Sequence, residues 1–478
     1  MGIKLVPLWT DIVIYAVLIV VVLYARHVSR SPQLRNTWAK VAHDAPALCA
    51  ALVFGLFALV TLLDSVHFRR ALATAPGATV FYDARTESLL DLLLARQVAM
   101  REVTYSEPLA VRGLTKQSVM VDGQPRREHP RLLAGGAHLR DEADWGADVV
   151  RRAATGLAIG VAAAGLLALV VAGWRARRQH IALGTSLHEI AANRTGLPLR
   201  AALLTVGVVC LLAGPVLALM NHYHVFGTDR TGNDVLYQAL KSVRTAFVIG
   251  TLSTIATLPL AVGLGIMAGY FKGWVDEAIQ YLYTVLSSIP NVLLIAACVL
   301  MVQVFMDKNP QLFETGIERA DVRLALLCLI LGVTGWATLA RLLRGETLKL
   351  RELDYVQAAH AFGVSHWKVM ARHIFPNVVH LVLITTVLDF SALVLYEAVL
   401  SYVGVGVDPS TSSFGGMINL ARSEMSREPL VWWSFAAAFG FMVTLVLAAN
   451  LLADGVRDAF DPRARVFRPR LAPLRPLA

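Results

Sequence analysis

Charge and cysteine are both scarce in this chain. Of its 478 residues, 16% are Asp, Glu, Lys or Arg against 56% hydrophobic, and the mean hydropathy is +0.57. A soluble enzyme of this size needs a polar surface that such a composition does not supply, which leaves an integral membrane protein. The four cysteines, Cys49, Cys210, Cys298 and Cys328, all fall inside apolar runs, at spacings that match neither a metal site nor a redox pair. They read as small core hydrophobes, and no disulfide framework is expected. No Gly-x-x-x-x-Gly-Lys-Ser/Thr stretch occurs, so the chain cannot cradle nucleotide phosphates in a P-loop; His-Glu-x-x-His and Gly-x-Ser-x-Gly are also missing. No catalytic role is expected. His222 and His224 come nearest to a ligand pair, but two positions apart on a helix they face different ways, and no metal is expected there.

What the chain does have is apolar length. Nine runs centre near 10–25, 46–63, 153–173, 201–220, 245–268, 283–306, 323–340, 379–403 and 431–453. Runs of about 20 residues match the hydrocarbon thickness. Lipid cannot satisfy an open strand edge, so the fold class is all-α and polytopic. Lys and Arg number 44 and Asp and Glu 34, giving a net charge of +10, and the excess is unevenly placed. Stretches 26–45, 174–200, 341–372 and 455–478 are rich in Arg and Lys, whereas 64–150 is near balance. Under the positive-inside rule the four basic stretches are cytosolic and the long balanced one is outside, with the N-terminus outside and the C-terminus cytosolic. The basic charge therefore reads as topology, and no nucleic-acid partner is expected. Only Lys4 precedes the first run, and no small-residue cleavage pattern closes it, so an uncleaved anchor is expected.

Between two of the apolar runs, Glu352 to Asn377 reads as a polar helix, a glycine turn, a second helix and a proline stop. Asp354 is expected to cap the first helix, Gly363 to take the left-handed position past its end, and Ser365 to cap the second. Val364 and Val369 stand where a hydrophobic staple would fix the second helix, and Pro376 is expected to end the segment before the next span. Two short helices tethered at both ends to a bilayer cannot lie freely in a DNA groove, so a protein surface is the expected partner. The segment resembles the EAA loop of ABC importer permeases: Ala358, Ala359, Gly363, Ile374 and Pro376 match its alanines, its glycine and its Ile-x-Pro ending. The resemblance implies that 354–376, with Tyr355 in its first turn, docks into a cleft of an ATPase subunit. Gln357 stands where that family usually carries glutamate, which keeps the shape and loses the charge.

The resemblance continues in order along the second half. Phe226 to Val235 is similar to the Gly-Thr-Asp-x-x-Gly-x-Asp-Val stretch of dipeptide and oligopeptide importer permeases. Ala268 to Asp276, Ser288-Ile-Pro290, Leu400 to Gly406 and Asn450 to Pro462 resemble further stretches of the same family. It implies a type I ABC importer transmembrane domain of six helices over 200–465, moving peptides across the bacterial cytoplasmic membrane. It also implies a second homologous permease subunit, an extracytoplasmic substrate-binding protein and two ATPase subunits that hold ATP and Mg, with no cofactor in this chain.

Before that domain the expected parts are a two-helix anchor over 1–63, an extracytoplasmic accessory domain over 64–150, and a third helix with a cytosolic linker over 151–199; a tail follows over 466–478. In the accessory domain, the leucines at 89, 90, 93 and 94 predict an amphipathic helix within 86–100, and Asp122-Gly123 predicts a hairpin turn. A docking platform for the binding protein is its expected role. Trp145 and Trp174 suit interfacial anchors, and Ser186 with Glu189 predicts a capping box. Pro259 and Pro290 are expected to bend their helices, and Gly263, Gly265 and Gly269 to allow close packing. Asp389 and Glu397 lie inside one span, where a charge needs a reason. Either they line a translocation path or they are structural, protonated or paired to a neighbouring donor. The other functional class is a membrane sensor or scaffold that keeps a permease-like fold.

Overall fold

The computed structural model describes residues 3–72, 81–83, 85–121, 124–313 and 315–460. Among them are nine helices long and apolar enough to cross a membrane. In chain order these spans are Trp9–Arg30, Ala45–Asp64, Glu142–Gln179, Leu199–Leu219, Val235–Phe271, Asn291–Lys308, Gly316–Arg351, His366–Tyr402 and Trp433–Phe460. Eight of the nine apolar runs each become one helix, the form in which a single segment satisfies its own backbone in lipid, while the run at 283–306 is split at Ile289-Pro290 between two helices.

The fifth span is the axis of the bundle, packed by the second, seventh, eighth and ninth. Its approach to the seventh is close because small residues leave room: a Cβ on Gly265 would meet the Ala340 carbonyl, and one on Gly269 the Arg344 carbonyl. Gly263, expected to share that role, has nothing within 4 Å. Pro259 sits inside the fifth helix without ending it. Phe54 of the second span packs on Phe247 at 5.0 Å, and Phe247 on Phe390 of the eighth at 5.5 Å, so the N-terminal segment shares the bundle's own core. The third and fourth spans make a separate hairpin, in which Gly156 and Gly160 lie against the backbone of Gly214 and Cys210. That is small-xxx-small packing, where the missing side chains let backbones touch.

At one end of the bundle the connecting segments add short strands. Ile3–Leu5 pairs antiparallel with His67–Arg70, which pairs with Glu87–Ser88. Gln117–Val121 pairs with Gln124–Glu128, forming the expected hairpin, while its turn at Asp122-Gly123 lies outside the described residues. The amphipathic stretch forms two short helices, Leu89–Leu93 and Ala95–Ala99, burying Leu90 and Leu94 and leaving Leu93 exposed. Ser88 opens the first by accepting the Asp91 N–H. The capping box expected at Ser186 and Glu189 does not form. Helix Leu183–Ala191 starts earlier, and both side chains turn to the third span instead: Ser186 donates to the Ala172 carbonyl at 3.1 Å, and Glu189 accepts from Arg175 at 2.6 Å. A buried acceptor and an ion pair outcompete the cap.

Candidate docking loop and translocation elements

At the opposite end, the docking segment is a helix over Asp354–Ala361, a turn, and a helix from His366 that runs on into the eighth span. Gly363 has φ +73°, the left-handed geometry a glycine adopts at low cost, and its N–H and that of Val364 close the carbonyls of His360 and Ala359. Val356, Val369, Met370 and Ile374 are buried with Ile266, Tyr270 and Leu343, and Val364 packs against the same cluster, so one face of the loop is locked to the fifth and seventh spans. Polar contacts reinforce the seat: the Arg351 guanidinium donates to the Tyr270 carbonyl at 2.6 Å, and the Tyr270 hydroxyl meets His366 Nδ1 at 2.9 Å. The other face is open, with Phe362 88% and Trp367 66% exposed.

Three expectations for this segment change. Leu353 occupies the N-cap of the first helix, and Asp354 is its first residue, placing charge at the positive end of the helix without a capping hydrogen bond. Ser365 stands at the second N-cap, but its side chain makes no cap bond. Pro376 is not a stop: Met370–Ile374 forms one wide π turn, and the helix continues through Pro376 to Tyr402. A proline ring collides with the carbonyl four residues back, here Arg372, and that residue lies in the widened turn. Gln357 donates its amide to the Glu352 carbonyl at 3.1 Å, a bond that a carboxylate cannot make. Tyr355, Ala358 and Pro376 are exposed, Ala359 is half-buried, and the Tyr355 hydroxyl accepts from Asn377 at 3.2 Å.

Helix Gly273–Ser288 and the sixth span are separated by a break at Ile289-Pro290. A cavity of about 510 Å³ opens there, lined by Ser287, Ser288, Asn291, Thr334 and Thr338 among others. The two carboxylates of the eighth span diverge. Glu397 is buried and takes the Ser401 hydroxyl at 2.6 Å, with the Ser413 hydroxyl and the Gly415 N–H on the same carboxyl, so it ties the span to helix Phe414–Glu424. Asp389 is half-buried, and none of these groups reaches it.

At the strand-bearing end lies a set of contacts that the sequence reading missed. Arg244 of the fifth span, 7% exposed, donates to Asp11 of the first span at 2.6 Å and lies 3.7 Å from Asp321 of the seventh. Asp11 also holds His67 at 2.7 Å. Lys241 pairs with Asp64 at 2.8 Å and with Asp91 at 3.0 Å. The available signal was a charge inside an apolar run at Asp11 and one at the edge of a run at Arg244. The 226–235 loop is clasped as well. Asp234 caps the fifth span by accepting the Tyr237 N–H at 3.0 Å and holds His224 Nδ1 at 2.8 Å. Glu102 accepts the N–H groups of Leu133, Ala134 and Gly135 at 2.8 to 2.9 Å, and its own N–H donates to the Gly232 carbonyl. His224 Nε2 is 3.6 Å from Glu102, an ionic contact. Burial alone would lower the imidazole, but Asp234 and Glu102 outweigh it and push His224 up to about 9. Burial would likewise raise Glu102, but His224 and the three N–H groups hold it at about 2. His222 instead packs edge-on against the His138 ring at 4.7 Å, so the two histidines separate, and no metal-binding group of three occurs among the described residues.

The family described as the binding-protein-dependent transport system inner membrane component matches residues 261–466, which hold the docking loop, the helix break and both carboxylates. The oligopeptide transport system permease protein of Mycobacterium tuberculosis strain H37Rv is 30% identical over 245 residues, covering 51% of this chain and 78% of that protein. The glutathione transport system permease protein of Pectobacterium atrosepticum is 31% identical over 242 residues, 51% of this chain and 73% of its own length. The dipeptide transport system permease protein of Lactococcus lactis is 30% identical over 243 residues, 50% and 64%. The chain belongs to this family of inner-membrane permease components of ABC importers, and it is a multi-pass membrane protein.

Proposed function

We propose that this chain moves peptides across the bacterial cytoplasmic membrane as one of two permease subunits, powered by two separate ATPase subunits that carry ATP and Mg and supplied by an extracytoplasmic binding protein. The docking loop is cytosolic, the strand-bearing end is outside, and the chain runs from an outer N-terminus to a cytosolic C-terminus, as the Arg and Lys distribution favours. Peptide cargo is favoured by the peptide and glutathione transport systems of the relatives.

The observation that carries the coupling role is the two-faced docking loop. Val356, Val369 and Ile374 fix it to the fifth and seventh spans, while Phe362 and Trp367 stand clear of the chain. Two large exposed aromatics on a rigid support are the residue types that anchor protein interfaces. Closure of the ATPases then moves the loop as a body and, through its buried face, the helices. The test is Gly363→Asp. A Cβ there meets nothing within 4 Å, so the substitution puts a charge on the open face at a backbone cost of about 1 kcal/mol. Membrane insertion is expected to persist while ATP-driven peptide uptake falls tenfold or more, on the order of a hot-spot contact. Unchanged uptake removes the loop from the coupling path.

A further inference from the structure

We propose that the groove between the second and ninth spans, floored by Gly440 and walled by Phe57, Phe226 and Phe441, is a binding site for one acyl chain of a phospholipid from the leaflet at the strand-bearing end. The site goes beyond the permease reading and does not depend on it.

The helix packing opens the groove. Ala47 of the second span and Gly455 of the ninth are small, and a Cβ on Gly455 would collide with that of Ala47, so the two helices touch closely at the docking-loop end. Towards the other end the same helices meet through Phe57 and Phe441, with ring centroids 6.4 Å apart, and these large side chains hold them apart. Phe226, which follows the fourth span, closes a third side with its ring 6.4 Å from that of Phe441. The space between them is a cavity of about 560 Å³. Gly440 adds no side chain to it, and a Cβ there would meet nothing within 4 Å.

Position and chemistry then name the occupant. The groove follows the ninth span from Ala436 to Thr444, starting one turn inside its first residue, Trp433. That is about 12 Å of helix, close to one leaflet's share of a hydrocarbon core about 30 Å thick. Ala436, Gly440 and Thr444 are exposed and each one helical turn from the next, so the groove opens sideways along the span. Pro108 and Val225, from the connecting segments at the strand-bearing end, close its top. The walls offer little to water: Trp433 Nε1 already donates to the Thr228 carbonyl at 2.9 Å, and Thr444 Oγ1 to the Gly440 carbonyl at 2.7 Å. The rest is aromatic and aliphatic, and even a cavity of about 150 Å³ with such walls stays dry and takes up apolar molecules. Trp432, 53% exposed beside the groove at the end of the span, marks the interfacial level. Empty, the groove would forfeit dispersion contacts along its whole length, and a flexible chain entering from the bilayer restores them. Closed above and open to the side, it admits what the bilayer supplies at that depth.

The experiment needs no cargo. The full chain, with the subunits that copurify with it, is placed in phosphatidylcholine vesicles doped with a phosphatidylcholine that carries a diazirine midway along one acyl chain, and after irradiation the adducts are mapped by mass spectrometry. Leu157, Ile159 and Leu166, exposed on the third span, report ordinary contact with the bilayer. The groove residues are expected to be labelled several-fold more heavily than these. Gly440→Trp fills the floor and should abolish the excess; Ala436→Phe should do the same from the mouth, and serves alone if the first variant does not insert. Unchanged labelling of the third span shows that a variant is folded. Groove labelling no higher than that of the third span overturns the site, as does an excess that survives both variants. Adducts formed by the chain alone but lost when its partner subunits are present also overturn it, by assigning the groove to a protein contact.

Discussion

At the strand-bearing end, the permease helices are tied to the N-terminal segment by buried ions, with Arg244 on Asp11 at 2.6 Å and Lys241 on Asp64 at 2.8 Å. At the opposite end the docking loop leaves Phe362 and Trp367 exposed, and its Lys272–Glu352 pair, at 2.8 Å, is between side chains that are themselves about half exposed. The first interface is complete within one chain; the second face is open. An addition to a transporter is thus fastened where its own cations and carboxylates match, and the family's shared surface stays free. The segment between the second and third spans is held against the fifth and seventh spans by Lys241–Asp91 at 3.0 Å and Arg69–Glu318 at 3.2 Å.

Breaking the fastened end should cost the most. Arg244→Ala leaves Asp11 and Asp321 buried without their cation, and about 3–5 kcal/mol of stability should be lost, read as a fall in thermal midpoint of the detergent-solubilised protein. A change near zero would mean that the accessory segment is not held by this cluster. The His224 contact gives a pH test of the same end. Its pKa rises from 6.5 to about 9 on folding, so its stabilisation is fully present below 6.5 and is lost as pH rises through about 9. The difference is worth up to about 3 kcal/mol. Wild-type stability should therefore drop over that interval, and His224→Gln should show no such drop; parallel pH profiles would refute the assignment. The free end should respond in the opposite way. Phe362→Ala with Trp367→Ala should change the thermal midpoint little, while costing about 2 kcal/mol or more in affinity for the ATPase subunits, seen as their loss on copurification. A loss of stability without a loss of partner would reverse the contrast between the two ends.

Much of this was legible before any coordinates. Hydrophobic length gave the helical spans, because lipid leaves a single segment no other way to satisfy its backbone, but it did not give the break at Pro290 inside the run 283–306; Gly363 was legible because helix ends leave few choices. The partners of Asp11, Asp91 and Glu102 were not, since Arg244, Lys241 and His224 lie more than a hundred residues further on, and no local pattern pairs them. Ser186 misled for the reverse reason: the local pattern was present, but Ala172 on the third span offered a buried acceptor. Asp389 and Glu397 looked alike in sequence, and tertiary neighbours alone separated them.

The wide turn at Met370–Ile374 sets a phase. Each residue of an α-helix advances the chain by about 100°, so one residue more in a single turn rotates everything beyond it by about that angle without breaking the rod. Trp367, before the turn, and Asp389, after it, therefore keep an angular relation that an uninterrupted helix of the same sequence would not have. Deleting one residue between 370 and 374 would leave both halves folded and the membrane span intact, yet turn Trp367 about a quarter-turn relative to Asp389.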